Sequence, residues 1–234
     1  MRDRTSRFGT ESLPDSAAYQ LSCLESLPPV PSHQNLEDSA LVAGVDEVGR
    51  GCLFGPVVAA AVLIRHASSN SLFELGITDS KRLSAAQRQA FVAPIHHTAL
   101  DCQIGIASVS EIDRLNILQA SLLAMKRAVL KLACPADLCL VDGNQRIPKL
   151  DMPQQTIIKG DQTIAAISAA SILAKVWRDD LIVRLAARYP KYDLASNKGY
   201  GTPPHRRALA KYGPSVLHRR SFRPCNVAAP QTDV

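Results

Sequence analysis

The apolar run at residues 57–64 constrains the fold of this chain most, because it contains no polar side chain. Such a run is typical of a β-strand that is buried on both faces of its sheet, and it is far too short to cross a bilayer. Further strands are predicted at residues 41–45, 102–109, 138–141 and 156–158. Since helical segments lie between the later strands, the pattern predicts an α/β domain with a mixed five-stranded sheet flanked by helices.

Helical periodicity marks the segments between the strands. Residues 84–97 are predicted to form a helix with Ser84 as its N-cap. A longer helix is predicted to begin at Ser110, with Asp113 as the acid of a capping box, because apolar residues recur after it at steps of three and four. Those apolar residues are Ile112, Leu115, Leu118, Leu122, Met125, Val129 and Leu132.

The C-terminal portion is also predicted to be helical. Residues 163–189 are expected to form a long helix whose first half is rich in Ala and Ser, and such small residues let a helix lie close against a sheet. A short helix is expected after it, with Thr202 as the N-cap, Pro203 at the first position and Gly213 at the end.

Length and composition indicate one domain with a sizeable core, since the chain has 234 residues and 46% of them are hydrophobic. We expect this domain at residues 41–225, between a flexible Ser- and Pro-rich tail at 1–40 and a C-terminal tail at 226–234. The six cysteines lack zinc-site spacing and no secretory signal is visible, so we expect reduced thiols in a cytoplasmic protein with no membrane partner. A monomer is the simplest expectation.

Four carboxylates follow the predicted strands. Asp46 and Glu47 come directly after the first strand, Asp142 after the fourth and Asp161 after the fifth. If these strands are neighbours, the acids gather at one rim of the sheet and can hold two hard divalent cations, which prefer oxygen ligands. Two such ions about 3.5–4 Å apart can clamp a phosphate during an in-line displacement.

Two considerations weigh against this metal site. Adjacent strand residues point to opposite faces, so Asp46 and Glu47 can share a site only if the pleat breaks between them or just after them. The glycines that follow them make such a break feasible. Acids after strands are also common solvated turn residues, and Asp142 in the segment VDGN is, taken alone, better explained as a turn residue.

A glycine-rich turn, Gly49-Arg50-Gly51, follows the acidic pair at once. Glycines let a backbone approach a ligand closely, so the amides and Arg50 could contact a sugar or a phosphate. The alternative is an ordinary strand connection. The turn is neither a P-loop nor a dinucleotide-binding fingerprint.

Residues 188–223 hold nine basic residues against one acid, and four tyrosines are interleaved with them. Basic groups bind phosphates and aromatic rings stack on sugars or bases. The net charge of +6 and the pI of about 9.1 agree with a polyanionic partner such as nucleic acid. A solvated basic face with tyrosines in the core is the alternative interpretation.

Five sequence blocks, in this order, resemble those of the bacterial ribonuclease HII (type 2 RNase H) family. They are AGVDEVGRGCLFGPVVAAAVLI at 43–64, TDSKRL at 78–83, VDGN at 141–144, KGDQTIAAISAASILAKVWRD at 159–179 and NKGYGTPPHRRALAKYGPSVLHRRSF at 197–222. The resemblance covers most of residues 41–224 and implies an RNase H-like fold with a helical C-terminal portion.

The resemblance also implies an activity. Family members use Mn²⁺ or Mg²⁺ to cleave the RNA strand of RNA–DNA hybrids and to nick 5′ of single ribonucleotides in duplex DNA, leaving a 3′-hydroxyl and a 5′-phosphate. It implies that Asp46, Glu47, Asp142 and Asp161 are both the metal ligands and the catalytic residues.

In the family, the glycine-arginine-glycine turn reads the ribose 2′-hydroxyl, the group that distinguishes RNA from DNA. That role falls here on Gly49, Arg50 and Gly51. The resemblance further implies that Tyr200 stacks on the adjacent deoxyribose and that Lys81 contacts a phosphate. By contrast, Asp179 is interpreted as structural, since Asp161 of the KGD segment fills the fourth acidic position. Cys52 departs from the proline that the family often has.

Two alternatives from other functional classes remain, and one sister family has to be distinguished. The related ribonuclease HIII family has a different residue between the two glycines and an additional N-terminal domain, so Arg50 and the short tail favour type II. Another nuclease or transposase of the same fold could use the same acids on DNA, although the sugar-reading turn and Tyr200 argue against it. A catalytically silent hybrid-binding protein would gain nothing from four acids beside phosphates.

Overall fold

A mixed five-stranded sheet forms the centre of the protein, as predicted. The computed structural model describes residues 32–77 and 80–226. The strands lie in the order β3-β2-β1-β4-β5. Strands β1, β2 and β3 pair antiparallel, whereas β1, β4 and β5 pair parallel. Their bounds are β1 Leu41–Val48, β2 Val57–Arg65, β3 Asp101–Ala107, β4 Leu138–Asp142 and β5 Gln154–Ile157.

Helices cover both faces of this sheet. Their bounds are α1 Ser69–Glu74, α2 Ala85–Thr98, α3 Val109–Leu115, α4 Ile117–Val129, α5 Gly160–Thr163, α6 Ala165–Ala186, α7 Leu194–Asn197 and α8 Pro203–Tyr212. Short 3-10 turns occur at His33–Asn35, His66–Ser68 and Pro190–Tyr192. Even the longest helix in residues 32–77 and 80–226 lacks the apolar length that a bilayer crossing requires.

Helix α6 packs on one face of the sheet at unusually short range. Its small residues are buried as predicted, and a Cβ at Gly44 of β1 would lie 2.2 Å from the backbone carbon of Ala166. Helix α4 approaches the other face in the same way, since a Cβ at Gly105 of β3 would lie 2.0 Å from the carbonyl oxygen of Ala124. Strand β2, between these two layers, is buried over residues 57–64, which agrees with its apolar sequence.

The predicted helix start at Ser110 is wrong by two residues. Ser108 is the N-cap, and it forms a capping box with Glu111. The helix then breaks at Asn116, whose φ of 72° ends α3 and whose side chain accepts a hydrogen bond from the Gln119 amide to begin α4. Asp113 is not a cap: it accepts hydrogen bonds from the amides of residues 220 and 221 and so attaches the C-terminal segment.

The other boundaries also differ in detail. Strand β1 extends to Val48, so that Asp46 and Glu47 lie inside it. The helix predicted at 163–189 is divided at Ile164, whose extended backbone separates α5 from α6. Thr202 begins α8 as predicted, yet its hydroxyl makes no capping bond.

Residues 32–40, which the sequence assigned to a tail, contact the domain. The backbone amide of His33 donates to Gln155 Oε1 at 3.1 Å, and Leu36 packs against the core on the α6 face. The remainder of both predicted tails, residues 1–31 and 227–234, lies outside the described residues.

Candidate active site

Strands β1 and β4 bring two of the predicted acids, Asp46 and Asp142, side by side. Val45 pairs with Val141 in the parallel register, and Asp46 and Asp142 come next on each strand. Asp142 Oδ1 accepts a hydrogen bond from the Gly160 amide at 2.8 Å. This bond draws the start of α5 to the end of β4, and Asp161 is the second residue of α5.

The pleat between Asp46 and Glu47 is regular, because these residues pair in sequence with Ala60 and Ala59 of β2. The break comes after Val48, where Gly49 takes a φ of 91°. Both carboxylates nevertheless line one cleft of about 300 Å³. Since β1 ends here, side chains from opposite faces can reach the same space beyond the end of the sheet.

Burial and mutual repulsion raise the pKa values of three of these acids. Burial holds the pKa of Asp46 well above its usual range, and the charges of Glu47 and Asp142 raise it further. Burial also raises the pKa of Glu47, although Arg50 opposes this effect. The pKa of Asp142 is raised by burial and then by the charge of Asp161. A bound cation would relieve this repulsion.

Two positively charged side chains, those of Arg50 and Lys81, contact the acids directly. Arg50 Nη1 lies 3.1 Å from Glu47 Oε1, and Lys81 Nζ lies 2.8 Å from Asp161 Oδ2. Within the described part of the chain, no three carboxylate, imidazole or thiol groups form a ready-made metal-binding group. The four carboxylates are donors of the hard oxygen type that Mg²⁺ and Mn²⁺ prefer, but Glu47 is held by Arg50 and Asp161 by Lys81.

The glycine turn and Tyr200 lie against each other beside the acids. Cys52 and Tyr200 form an isolated β-bridge, and the Leu53 amide donates to the Gly199 carbonyl at 2.8 Å. Arg50, Gly51 and Tyr200 line the same cleft as Asp46 and Glu47. Tyr200 is 38% exposed, so part of this residue is accessible to a ligand.

Comparisons with known proteins agree with this arrangement. The family model described as Ribonuclease HII matches residues 43–225. The chain belongs to the ribonuclease HII family. A ribonuclease HII of Acaryochloris marina is 60% identical over 190 residues, which cover 81% of this chain and 96% of that relative.

Solved structures extend the comparison to the fold. The ribonuclease H2 of Pyrococcus horikoshii superposes with a TM-score of 0.69 at 27% identity, over 80% of this chain and 95% of that one. Bst-RNase HIII, solved in complex with Mn²⁺, has a TM-score of 0.61 at 18% identity, over 83% of this chain and 81% of that one, and shows the fold alone.

Membership of the ribonuclease HII family makes the chain a ribonuclease H, a nuclease and hydrolase that acts on RNA–DNA hybrids. It removes the alternative of a catalytically silent binding protein. The RNase H-like fold and the recognition of the type II family are both confirmed.

The sequence did not point to Ser171 and Lys175, although both line the cleft of this ribonuclease HII family member. Lys175 Nζ lies 5.3 Å from the centre of the Tyr200 ring and 2.9 Å from Asp179 Oδ1. Asp179 is thus engaged by a lysine one turn away on α6. Ser171, Lys175 and Asp179 are spaced four residues apart, which places all three on one helix face. This spacing was the sequence signal that could have identified Ser171 and Lys175.

Proposed function

We propose that the chain is an endonuclease that hydrolyses the phosphodiester bond on the 5′ side of a ribonucleotide. Its substrates are RNA–DNA hybrids and single ribonucleotides embedded in duplex DNA, and its products carry a 3′-hydroxyl and a 5′-phosphate. The observation that carries this proposal is the shared cleft, in which Asp46, Glu47 and Asp142 lie beside Gly51 and Tyr200. The cleft therefore combines carboxylates that can hold metal ions for phosphodiester hydrolysis with a backbone turn that can contact a ribose.

The proposed cofactor is Mg²⁺ or Mn²⁺, and two ions would be held by Asp46, Glu47, Asp142 and Asp161. The hard oxygen donors and the raised pKa values of the first three acids fit such ions. When bound, the ions supply positive charge to the attacking water and to the leaving oxygen. Arg50 and Lys81 would then release their carboxylates and become available to the substrate, Lys81 as a phosphate contact.

Recognition of the ribose is proposed for Gly49, Arg50, Gly51 and Tyr200. The backbone of the turn can approach a 2′-hydroxyl closely because Gly51 carries no side chain and no atom lies within 4 Å of its Cβ position. Tyr200 offers a ring face to the neighbouring deoxyribose. The cation of Lys175, 5.3 Å from that ring, helps to hold it in place.

The proposed catalytic unit is residues 41–225 acting as a monomer in the cytoplasm. The family match over residues 43–225 supports these bounds.

A labelled DNA duplex with one embedded ribonucleotide tests the function. The protein is incubated with this duplex and Mg²⁺ or Mn²⁺, and the cut is mapped. We expect one nick 5′ of the ribonucleotide, absent when a chelator is added. Cleavage of an all-DNA duplex would instead indicate a DNA nuclease of the same fold, and cleavage that persists in chelator would contradict the metal mechanism.

A further inference from the structure

Two arginines beneath the glycine turn are completely buried. Arg178 of α6 and Arg219 of the C-terminal segment each have 0% exposure. Among the described residues, neither guanidinium has a carboxylate within ion-pair distance. A buried charge without a counter-charge is costly unless hydrogen bonds compensate it, so these two positions require a specific explanation.

Backbone carbonyls of two separate loops surround Arg178. Its Nε donates to Pro56 O at 3.1 Å and its Nη2 donates to Phe54 O at 3.0 Å, both in the segment after the glycine turn. Its Nη1 donates to Lys198 O at 2.9 Å, two residues before Tyr200. One rigid, planar group therefore fixes the distance between the proposed sugar-reading turn and the proposed stacking tyrosine.

Three glycines with positive φ pack around the same guanidinium. Gly49, Gly55 and Gly199 have φ values of 91°, 83° and 86°. A Cβ at Gly49 would lie 2.2 Å from Arg178 Nε, and a Cβ at Gly199 would lie 3.4 Å from Arg178 Nη2. The first glycine of the turn is thus required by its contact with Arg178, and not only by approach of a ligand.

Arg219 holds the other side of the turn. Its Nη1 donates to Arg50 O at 2.8 Å, and its Nε donates to Gly55 O at 3.0 Å. Its own backbone amide donates to Leu53 O at 3.0 Å. The carbonyl of Arg50, at the centre of the turn, is therefore oriented from the C-terminal segment.

We propose that Arg178, with Arg219, is a positioning residue for ribose recognition: it aligns the Gly49–Gly51 turn with Tyr200 without touching the substrate. This inference rests on the proposed function, in which the turn and Tyr200 read the sugar. Lysine cannot replace Arg178, because an ammonium on a flexible stem cannot span three carbonyls in one plane. Because Arg178 holds the two loops in place before the substrate binds, binding of the ribonucleotide does not have to supply the free energy of ordering them.

The experiment compares R178K with R184K, a control that changes an exposed arginine on the same helix. Dissociation constants are measured in chelator for two DNA duplexes of one sequence, with and without a single ribonucleotide. Sugar discrimination is reported by the ratio of the dissociation constant for the all-DNA duplex to that for the duplex with the ribonucleotide. We expect R178K to lower this ratio by about tenfold, the loss of roughly one or two hydrogen bonds, and R184K to leave it unchanged. With metal, R178K should raise KM for the embedded ribonucleotide while kcat stays nearly constant.

Each other outcome is decisive. A folded R178K with the wild-type ratio overturns the positioning role and leaves the proposed function intact. Equal weakening of both duplexes would indicate general damage and also overturn it. A wild-type ratio of one would overturn sugar reading itself, and this inference with it. If R178K does not fold, as judged by circular dichroism, R219K is measured in the same way, because it loosens the Arg50 carbonyl from the opposite side.

Discussion

At Gly49 the backbone leaves room for a hydrogen atom and nothing larger. Gly49→Ala would place a methyl group 2.2 Å from Arg178 Nε on a backbone with φ of 91°. A strained backbone of this kind costs about 1–3 kcal/mol, and about 1 kcal/mol lowers Tm by roughly 2–4 °C in a domain of this size. We therefore expect Tm to fall by several degrees in a circular dichroism melt.

Gly51→Ala is the matched control for this stability measurement. No atom lies within 4 Å of its Cβ position, and its φ is not in the left-handed region. We expect its Tm to stay close to that of the wild type. Equal losses of Tm in the two variants would show that contact with Arg178 does not select glycine at position 49.

Asp46→Asn is expected to separate activity from stability. Cleavage should fall by more than about 100-fold, because even residues that merely support metal ligands typically contribute 10–100-fold. The raised pKa of Asp46 means that the ionised carboxylate opposes folding at pH 7, so the neutral amide should raise Tm. Binding of the hybrid should persist. Asp180→Asn, an exposed change on α6, serves as the control in both assays, and wild-type cleavage by Asp46→Asn would refute the metal site.

Among the elements, α8 is attached to the domain through two buried imidazoles. His218 Nδ1 accepts a hydrogen bond from the Ser215 amide at 2.9 Å, so its proton lies on Nε2. That nitrogen is 3.0 Å from His205 Nε2, which must therefore accept. His205 Nδ1–H then donates to Tyr200 O at 2.9 Å. Both imidazole rings are neutral in this series of hydrogen bonds. The series ends at the backbone carbonyl of Tyr200, the proposed stacking residue.

This pair predicts a loss of stability in acid. Burial, followed by electrostatic interactions with His205 and Arg220, lowers the pKa of His218 to about 3. In the unfolded chain the ring takes up a proton near pH 6.5, so its stabilising contribution is present above that pH and is lost as the pH falls toward 3. We expect the free energy of unfolding in urea to be larger for the wild type than for His218→Gln. This difference should be larger at about pH 7.5 than at about pH 5. A gap that does not change with pH would contradict this account.

The elements were largely predictable from the sequence because their signals are local. The uninterrupted apolar run gave β2, and Thr202, Pro203 and Gly213 marked the two ends of α8 correctly. The break at Asn116 was not predictable, because the apolar periodicity continues through it and only its positive φ interrupts the helix.

The candidate site was predictable only where a strand end carried the signal. The four acids were predicted in this way, and Asp46 and Asp142, the next residues after the paired Val45 and Val141, line the same cleft. The bonds from Arg178 to Phe54 and Lys198 had no such signal, because they join residues 124 and 20 positions apart in the chain. A buried arginine with carbonyl partners looks, in sequence, like any surface arginine of a helix.

For the whole molecule, the net charge of +6 predicts binding that depends steeply on salt. If about four phosphates are contacted, the dissociation constant for a hybrid should rise on the order of 100-fold between roughly 50 and 200 mM salt. Arg207→Ala, an exposed change on α8, should reduce the slope by about one. Arg65→Ala is the control, because Arg65 lies at the end of β2 that is remote from the acids, and equal effects of the two variants would place the nucleic acid elsewhere.

The central position of β1 has a consequence for synthesis of the protein. Its antiparallel partners, β2 and β3, are complete by Ala107, so that half of the sheet can pair while translation continues. Asp142 follows Asp46 by roughly 100 residues, which at about 5–20 residues per second is a delay of roughly 5–20 seconds. Tyr200 leaves the ribosome later still. A nascent chain thus carries the acidic strand end without the rest of the proposed site, and we expect the nuclease to become competent to cut only after Tyr200 has been added.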